Sequence, residues 1–286
     1  MRAGPILRAA LGVALLTGMD AVIKLQMQQA PFLVALFMRF AMGSLVSLAL
    51  LALVRPPRPS RDSILGNALR VPLVVLSAGS FFYSVSVLPL TEALTLAFLA
   101  PVFVAFFGAM LLGEKLDARI LLALICGFAG MIVMVWPRLK GGYDGVELGV
   151  ASALFSAVAY ALNLVLLRRI ALREHPAIIV VFQNAGPALC LALPAAAVFV
   201  QPSGSDLAMY LLAGTLGVAG HFCVTTAFAR APASQLAAVD YTALIWASIL
   251  GFAIFGEVPL WTTYAGAMLI IAGTLAVGRR RRTVAA

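Results

Sequence analysis

Polar and turn-forming residues divide the chain into ten apolar stretches: 5–24, 32–54, 69–88, 91–112, 118–136, 146–167, 176–199, 206–229, 233–255 and 260–278. Each is close to the roughly 20 residues a helix needs to cross about 30 Å of hydrocarbon. Lipid gives a free backbone N–H or C=O nothing to bond with, so a spanning segment must be a helix or a strand of a closed barrel. The stretches are continuously apolar and do not alternate, which selects helices. Connections between them are short and leave no room for a soluble domain. Composition agrees, with 63% hydrophobic residues, 11% charged and a mean hydropathy of +1.05, against about 45–50% apolar and about 25% charged in a soluble domain. The expected class is an all-α integral membrane protein with ten transmembrane helices.

The net charge of +9 raises the question of a nucleic-acid partner, which the distribution of basic residues answers. If the N-terminus is cytoplasmic, sixteen of the 20 lysines and arginines fall on cytoplasmic segments, among them Arg55, Arg58, Arg61, Arg70, Arg168, Arg169 and Arg279 to Arg282. Lys24, Arg138 and Lys140 fall on the other side, and Arg39 lies inside a span. That asymmetry is the signature of membrane insertion, places both termini in the cytoplasm and removes the need for a polyanionic partner. The residues before Asp20 and Lys24 resemble a signal peptide, but no small-residue cleavage site follows, so an uncleaved first helix is expected. Cys126, Cys190 and Cys223 all lie within spans, as small apolar residues, and form no disulfide or metal framework.

The two halves of the chain repeat. At an offset of 143, Pro89 matches Pro232, Ala100 matches Ala243, Gly108 matches Gly251, Gly113-Glu114 match Gly256-Glu257 and Ala129-Gly130 match Ala272-Gly273. At an offset of 145, Pro31 and Arg39 pair with Pro176 and Asn184. The division is 1–140 and 141–286, five helices in each half. Five is odd, so the second half enters the membrane from the opposite face. The result is a pair of inverted repeats about an axis in the membrane plane, which lets inward-open and outward-open states arise by exchanging the conformations of the halves.

The segments "PLTEALTLAFLAPVFVAFFGAMLLGEKL", "GFAGMIVMVWP" and the echo "APASQLAAVDYTALIWASILGFAIFGEVPL" resemble the EamA family of the drug/metabolite transporter superfamily. The resemblance covers nearly the whole chain. It implies a bundle around a central cavity lined mainly by helices 1, 3, 4, 6, 8 and 9, with helices 5 and 10 as a support. It also implies export of amino acids and other metabolites, or import of nucleotide-like or quaternary-ammonium compounds.

A charge inside the bilayer costs several kcal/mol and therefore marks a candidate site. Asp20 and Arg39 come out roughly 8 and 12 Å below the outer surface by helical rise, close enough to pair, with Lys24 one turn from Asp20. His221 and Asp240 come out roughly 9 and 12 Å above the inner surface, and a histidine there can carry a proton. The two pairs are candidate gates or a proton-coupling network. Candidate substrate contacts are Tyr83, Phe98, Tyr160, Asn163, His221, Asp240, Tyr241 and Trp246, flat apolar walls with a few polar edges suited to a small amphiphilic metabolite. Pro101, near the midplane of helix 4, should kink it. Gly113 and Gly256 should end helices 4 and 9, each followed by a glutamate in a tight hairpin. Gly127, Gly130, Gly266 and Gly273 allow close helix approach, within one chain or between two copies.

Gly108-x4-Gly113-Glu-Lys is no phosphate loop, lacking the Gly-Lys-Ser/Thr, so transport driven by the chain's own ATP hydrolysis is excluded. Two histidines, His175 and His221, assemble no metal cluster or catalytic triad. No cofactor and no enzymatic activity are expected. The reading from sequence is a secondary transporter of the bacterial inner membrane, a monomer or a homodimer. Its partners are a small-molecule substrate, the lipid bilayer and protons as the candidate coupling ion.

Overall fold

The computed structural model describes residues 3–100, 102–103, 106–107, 110, 118–140, 145–171, 174–228 and 242–278. Ten helices run through them in chain order. They are α1 (Ala3–Met27), α2 (Phe32–Val54), α3 (Arg61–Val87), α4 (Leu90–Ala97) and α5 (Ala118–Lys140), then α6 (Val146–Ala171), α7 (Pro176–Ala196), α8 (Gly204–Phe228), α9 (Ala243–Phe255) and α10 (Trp261–Gly278). Six of them, α1, α2, α3, α6, α7 and α8, are long and apolar enough over their described residues to cross a membrane.

Local chemistry sets the ends. Ser60 accepts from the Ser63 N–H and caps α3, with Asp62 in the first turn complementing the helix dipole. The helix therefore starts eight residues before the apolar stretch does. His175 Nδ1 accepts from the Ala177 N–H with Pro176 at the first helical position of α7. Gly256, at φ 66°, closes α9 in the left-handed conformation, its N–H returning to Gly251 and Phe252 carbonyls as the Gly-Glu phrase predicts. The equivalent Gly113 lies outside the described residues.

Helix α4 stops at Ala97, and the backbone tightens into i→i−3 bonds from Phe98 to Thr95 and from Leu99 to Leu96. Pro101, expected to kink this helix near the midplane, lies outside the described residues.

Packing follows the repeat. Helix α1 lies on α8 as α3 lies on α6; α2 lies on both α7 and α8, and α3 on α7; α1 meets α9 as α4 meets α6; and α5 lies on α10. Exchanging the halves, α1 with α6 through α5 with α10, maps each of these contacts onto another member of the set or onto itself. The arrangement matches inverted five-helix repeats. Gly12 of α1 meets Gly220 of α8, and Gly130 of α5 meets Gly266 of α10, each at backbone-contact range. The small-residue contact of α5 and α10 is therefore made inside one chain.

One apolar core joins α1, α2, α3, α7 and α8 through Ile23, Leu36, Phe40, Phe82, Leu191 and Tyr210. A second joins α3, α4, α6 and α9 through Val85, Leu88, Leu90, Leu96, Ala153 and Ala247. Leu45, Leu48 and Leu53 on α2, Leu189 and Leu193 on α7, and Ile245, Ile249 and Phe252 on α9 point outward. An apolar surface of that extent is a lipid face in a multi-pass membrane protein.

Candidate functional site

Two places gather polar side chains that an apolar bundle would otherwise exclude. The first lies at the face where α1 ends, termed distal here because it is opposite the N-terminus. Lys24, in the last turn of α1, is 6% exposed. Its Nζ donates to the Leu88 carbonyl at 2.8 Å and to Glu257 Oε1 at 2.5 Å, and it stands 5.1 Å from the Phe255 ring centroid. Glu257 Oε2 accepts from the Leu90 N–H at 2.9 Å. One ammonium and one carboxylate thus tie the end of α1 to the α3–α4 turn and the α9–α10 turn, joining first-half and second-half elements. The turns present these groups because Gly256 reverses the chain immediately before Glu257.

This corrects the pairing expected from sequence. Lys24 is partnered with Glu257, 233 positions away, and among the described residues theirs is the ion pair at contact distance. Asp20, one turn back, acts on Arg39 through charge without reaching such contact.

The second place is in the middle of the bundle. Arg39 on α2 is 6% exposed and stacks its guanidinium on Phe40 at 4.2 Å and Phe82 at 5.3 Å. Cation–π contact of this kind holds the planar group without using its donors. Its Nε and Nη1 have no hydrogen-bond acceptor. Arg70 on α3 is 2% exposed, so a residue counted from sequence among the cytoplasmic charges lies inside the protein. Its Nε donates to Asn163 Oδ1 at 2.9 Å and its Nη1 to Asn67 Oδ1 at 3.0 Å, whereas Nη2 has no acceptor. Asn67 is itself held by the Ser63 carbonyl. Gln183 on α7 places Nε2 3.4 Å from both ring nitrogens of His221 on α8. The charges of Arg39 and Arg70 both act on His221. A narrow cleft runs between α3 and α7, lined by Asn67, Arg70, Val71, Val74, Phe182 and Gln183.

A buried charged donor left without an acceptor costs more than the roughly 1–3 kcal/mol of a neutral one. Two arginines carrying such donors in one bundle are therefore a costly arrangement. Removing the Asn163 amide, as in Asn163→Ala, is expected to destabilise the protein by about 2 kcal/mol through the lost charge-assisted bond. A thermal unfolding curve in detergent measures it.

The expected contact residues distribute unevenly. Asn163 is buried and engaged with Arg70, and Tyr160, 38% exposed on the same helix, is close enough to bear on Arg70. His221 is bonded to Gln183 and not, among the described residues, to a carboxylate. Tyr83 packs edge-on against Phe32, ring centroids 6.3 Å apart. Phe98 is buried in an apolar cluster with Val13, Ala157 and Ala243. Trp246 is 40% exposed on α9, on the side carrying Ile245 and Ile249. Asp240 and Tyr241 lie outside the described residues. Sequence reading missed Gln183, Asn67 and the roles of Arg70 and Glu257. It also passed over Glu92, a 1% exposed carboxylate on α4 whose Oε1 accepts from Thr263 of α10 at 3.3 Å.

Comparison with known proteins follows this geometry. A family model described as the EamA-like transporter family matches residues 4–136 and 147–279. The chain is 28% identical over 280 residues to a pseudopaline exporter of Pseudomonas aeruginosa (strain UCBPP-PA14), covering 97% of this chain and 96% of that protein. It is 25% identical over 240 residues to an S-adenosylmethionine uptake transporter of Rickettsia prowazekii, covering 84% and 80%. It is 27% identical over 217 residues to a riboflavin transporter of Rhizobium johnstonii, covering 73% and 68%. A solved crystal structure superposes over the full length of both chains with a TM-score of 0.68 at 21% identity, which bears on the fold.

Proposed function

The chain belongs to the EamA-like transporter family, and from that premise we propose that it is a secondary active transporter working by alternating access, with an amino acid exported from the cell as its cargo. The observation that carries the alternating-access reading is the Lys24–Glu257 contact. It joins α1 and the α3–α4 turn to the α9–α10 turn at the distal face. A closure made of one partly buried ion pair and two backbone bonds is breakable by the few kcal/mol that separate states of a carrier. The repeat supplies an equivalent set of helices at the other face. In this reading the protein sits in a bacterial inner membrane with both termini cytoplasmic, as the asymmetry of basic residues supports, so the distal face is the outer one. The halves 1–140 and 141–286 are the units that exchange conformation.

The amino-acid cargo is supported by the buried polar side chains of the central group, and the direction by the relative named as a pseudopaline exporter. A second reading, import of nucleotide-like or quaternary-ammonium metabolites, has its support in the relative named for S-adenosylmethionine uptake. A facilitative channel is the rival in mechanism.

Proteoliposomes loaded with labelled amino acids, with and without a pH gradient, test the proposal. Saturable flux of one or a few amino acids supports it, and flux confined to nucleotide-like or quaternary-ammonium solutes replaces the cargo. His221 and Asp240 are proposed as the proton-coupling pair. Asp240→Asn is expected to abolish the stimulation by a pH gradient, and full transport with unchanged pH dependence in that variant would remove the coupling role.

A further inference from the structure

We infer that Arg70, with Gln183 beside it in the cleft, forms a subsite for an oxyanionic group of the transported solute, a carboxylate in the amino-acid reading. The inference rests on the transport reading above and specifies the chemistry that its central site selects.

Arg70 is set apart by what it lacks. Its side chain is buried, two of its donors are fixed by the neutral amides of Asn67 and Asn163, and among the described residues no carboxylate is in ion-pair contact with it. The remaining Nη2 has no acceptor, although Arg70 lines the cleft between α3 and α7. A guanidinium held by two amides and left with a free donor edge is oriented for a planar oxyanion, which takes two parallel N–H bonds from such a fork. Gln183 lines the same cleft, and its amide nitrogen faces His221. Arg39, a second buried guanidinium with Nε and Nη1 unpartnered, stacks on Phe40 and on Phe82, twelve residues along α3 from Arg70.

An alternative account would make Arg70 a strut between α3 and α6. Neutral Ser77 and Ser156 already tie these helices by reciprocal bonds, Ser156 Oγ to the Ser77 carbonyl at 2.8 Å and Ser77 Oγ to the Ser156 carbonyl at 3.3 Å. A strut needs no charge, and a buried charge is costly unless something answers it. The cleft is closed even to water as it stands, so entry of a solute requires α3 and α7 to part, which alternating access provides.

The test measures binding apart from flux. The purified full-length chain in detergent is equilibrated with each labelled proteinogenic amino acid in turn, with its α-carboxamide, and with inorganic phosphate as the second oxyanion source. At least one amino acid is expected to bind tenfold or more tightly than its carboxamide. Arg70→Gln should bring the acid down to the level of the amide, and Arg70→Lys should restore part of the difference by keeping the charge while losing the fork. Asn67→Ala, which leaves the charge but frees its orientation, should weaken acid binding by severalfold. Phosphate binding with the same dependence on Arg70 supports the oxyanion site and moves the cargo from amino acids to phosphorylated solutes. Equal binding of acid and amide, undiminished acid binding in folded Arg70→Gln, or no binding of any amino acid or phosphate would overturn the inference. Flux in proteoliposomes separates it from the reading beneath. Saturable transport of neutral or cationic solutes alone overturns the subsite and leaves the carrier standing, whereas Arg70-dependent binding without flux keeps the subsite and removes the carrier.

Discussion

Replacing Lys24 with methionine is expected to open the distal mouth and to reduce transport at least tenfold. Methionine keeps the apolar length that packs near Phe255 but removes the ammonium that reaches both the Leu88 carbonyl and Glu257. Breaking a buried pair by removing one partner costs about 3–5 kcal/mol because the other charge is left uncompensated. The Glu257 side chain is 19% exposed, so water screens part of this loss and the lower end of the range applies. At roughly 1.4 kcal/mol per tenfold, the equilibrium between closed and open distal states moves by about two orders of magnitude. A carrier held in one state turns over slowly even when its binding site is intact. Tyr83→Cys, beside Phe32, reports the shift as faster labelling by a membrane-impermeant maleimide. Glu257→Gln should act in the same direction more mildly, since a neutral amide still accepts from Leu90. Exchanging the two charges, Lys24→Glu with Glu257→Lys, should recover part of the activity that either single change loses. Wild-type transport and labelling in Lys24→Met would mean that the contact is a surface ornament.

Gly130→Leu is expected to be the most damaging single change to folding. Helices α5 and α10 cross where a Cβ on Gly130 would stand 2.6 Å from the Gly266 carbonyl oxygen and 2.9 Å from Ile270, closer than atoms approach without rearrangement. The obstacle is backbone, which cannot rotate aside as a side chain does. Overpacking against side chains costs about 1–3 kcal/mol, and separating two backbones in contact exceeds that, because the helices must part along their length. Association in lipid has little hydrophobic drive between helices and depends on such close contact. Little folded protein should survive detergent extraction and size-exclusion chromatography. Gly18→Ala is the control, since a Cβ there meets Leu216 at an ordinary 3.7 Å. Equal yields of folded protein from both variants would place the stabilising contact elsewhere.

The helices were legible because the bilayer imposes a length and a hydropathy on each of them, and both are local properties. Local rules also told where α9 ends, since Gly256 lacks the Cβ that makes the left-handed turn costly. They misjudged the start of α3, where the Ser60 cap and the charged Arg61-Asp62 turn extend the helix beyond the apolar stretch. The inverted repeat was legible because it is written as matching residues at a fixed offset. Side-chain partners were not, for they depend on which helices meet. Lys24 reads as a neighbour of Asp20 at a spacing of one turn, yet its partner comes from the opposite end of the chain. Arg70 reads as one more cytoplasmic charge because hydropathy counts a residue by type. Only the α3–α6 contact shows that Asn163 is waiting for it. A buried asparagine on a transmembrane stretch was the available sign that some donor had to reach it.

Exchange across the membrane tests the central claim most directly. Proteoliposomes are preloaded with an unlabelled solute that the protein transports, and entry of the same solute in labelled form is followed from outside. An alternating-access carrier returns faster when loaded, so uptake is expected to accelerate several-fold over empty vesicles, and Lys24→Met should lose the acceleration. Uptake that is indifferent to the internal solute and grows in proportion to its external concentration would contradict the account and identify a pore.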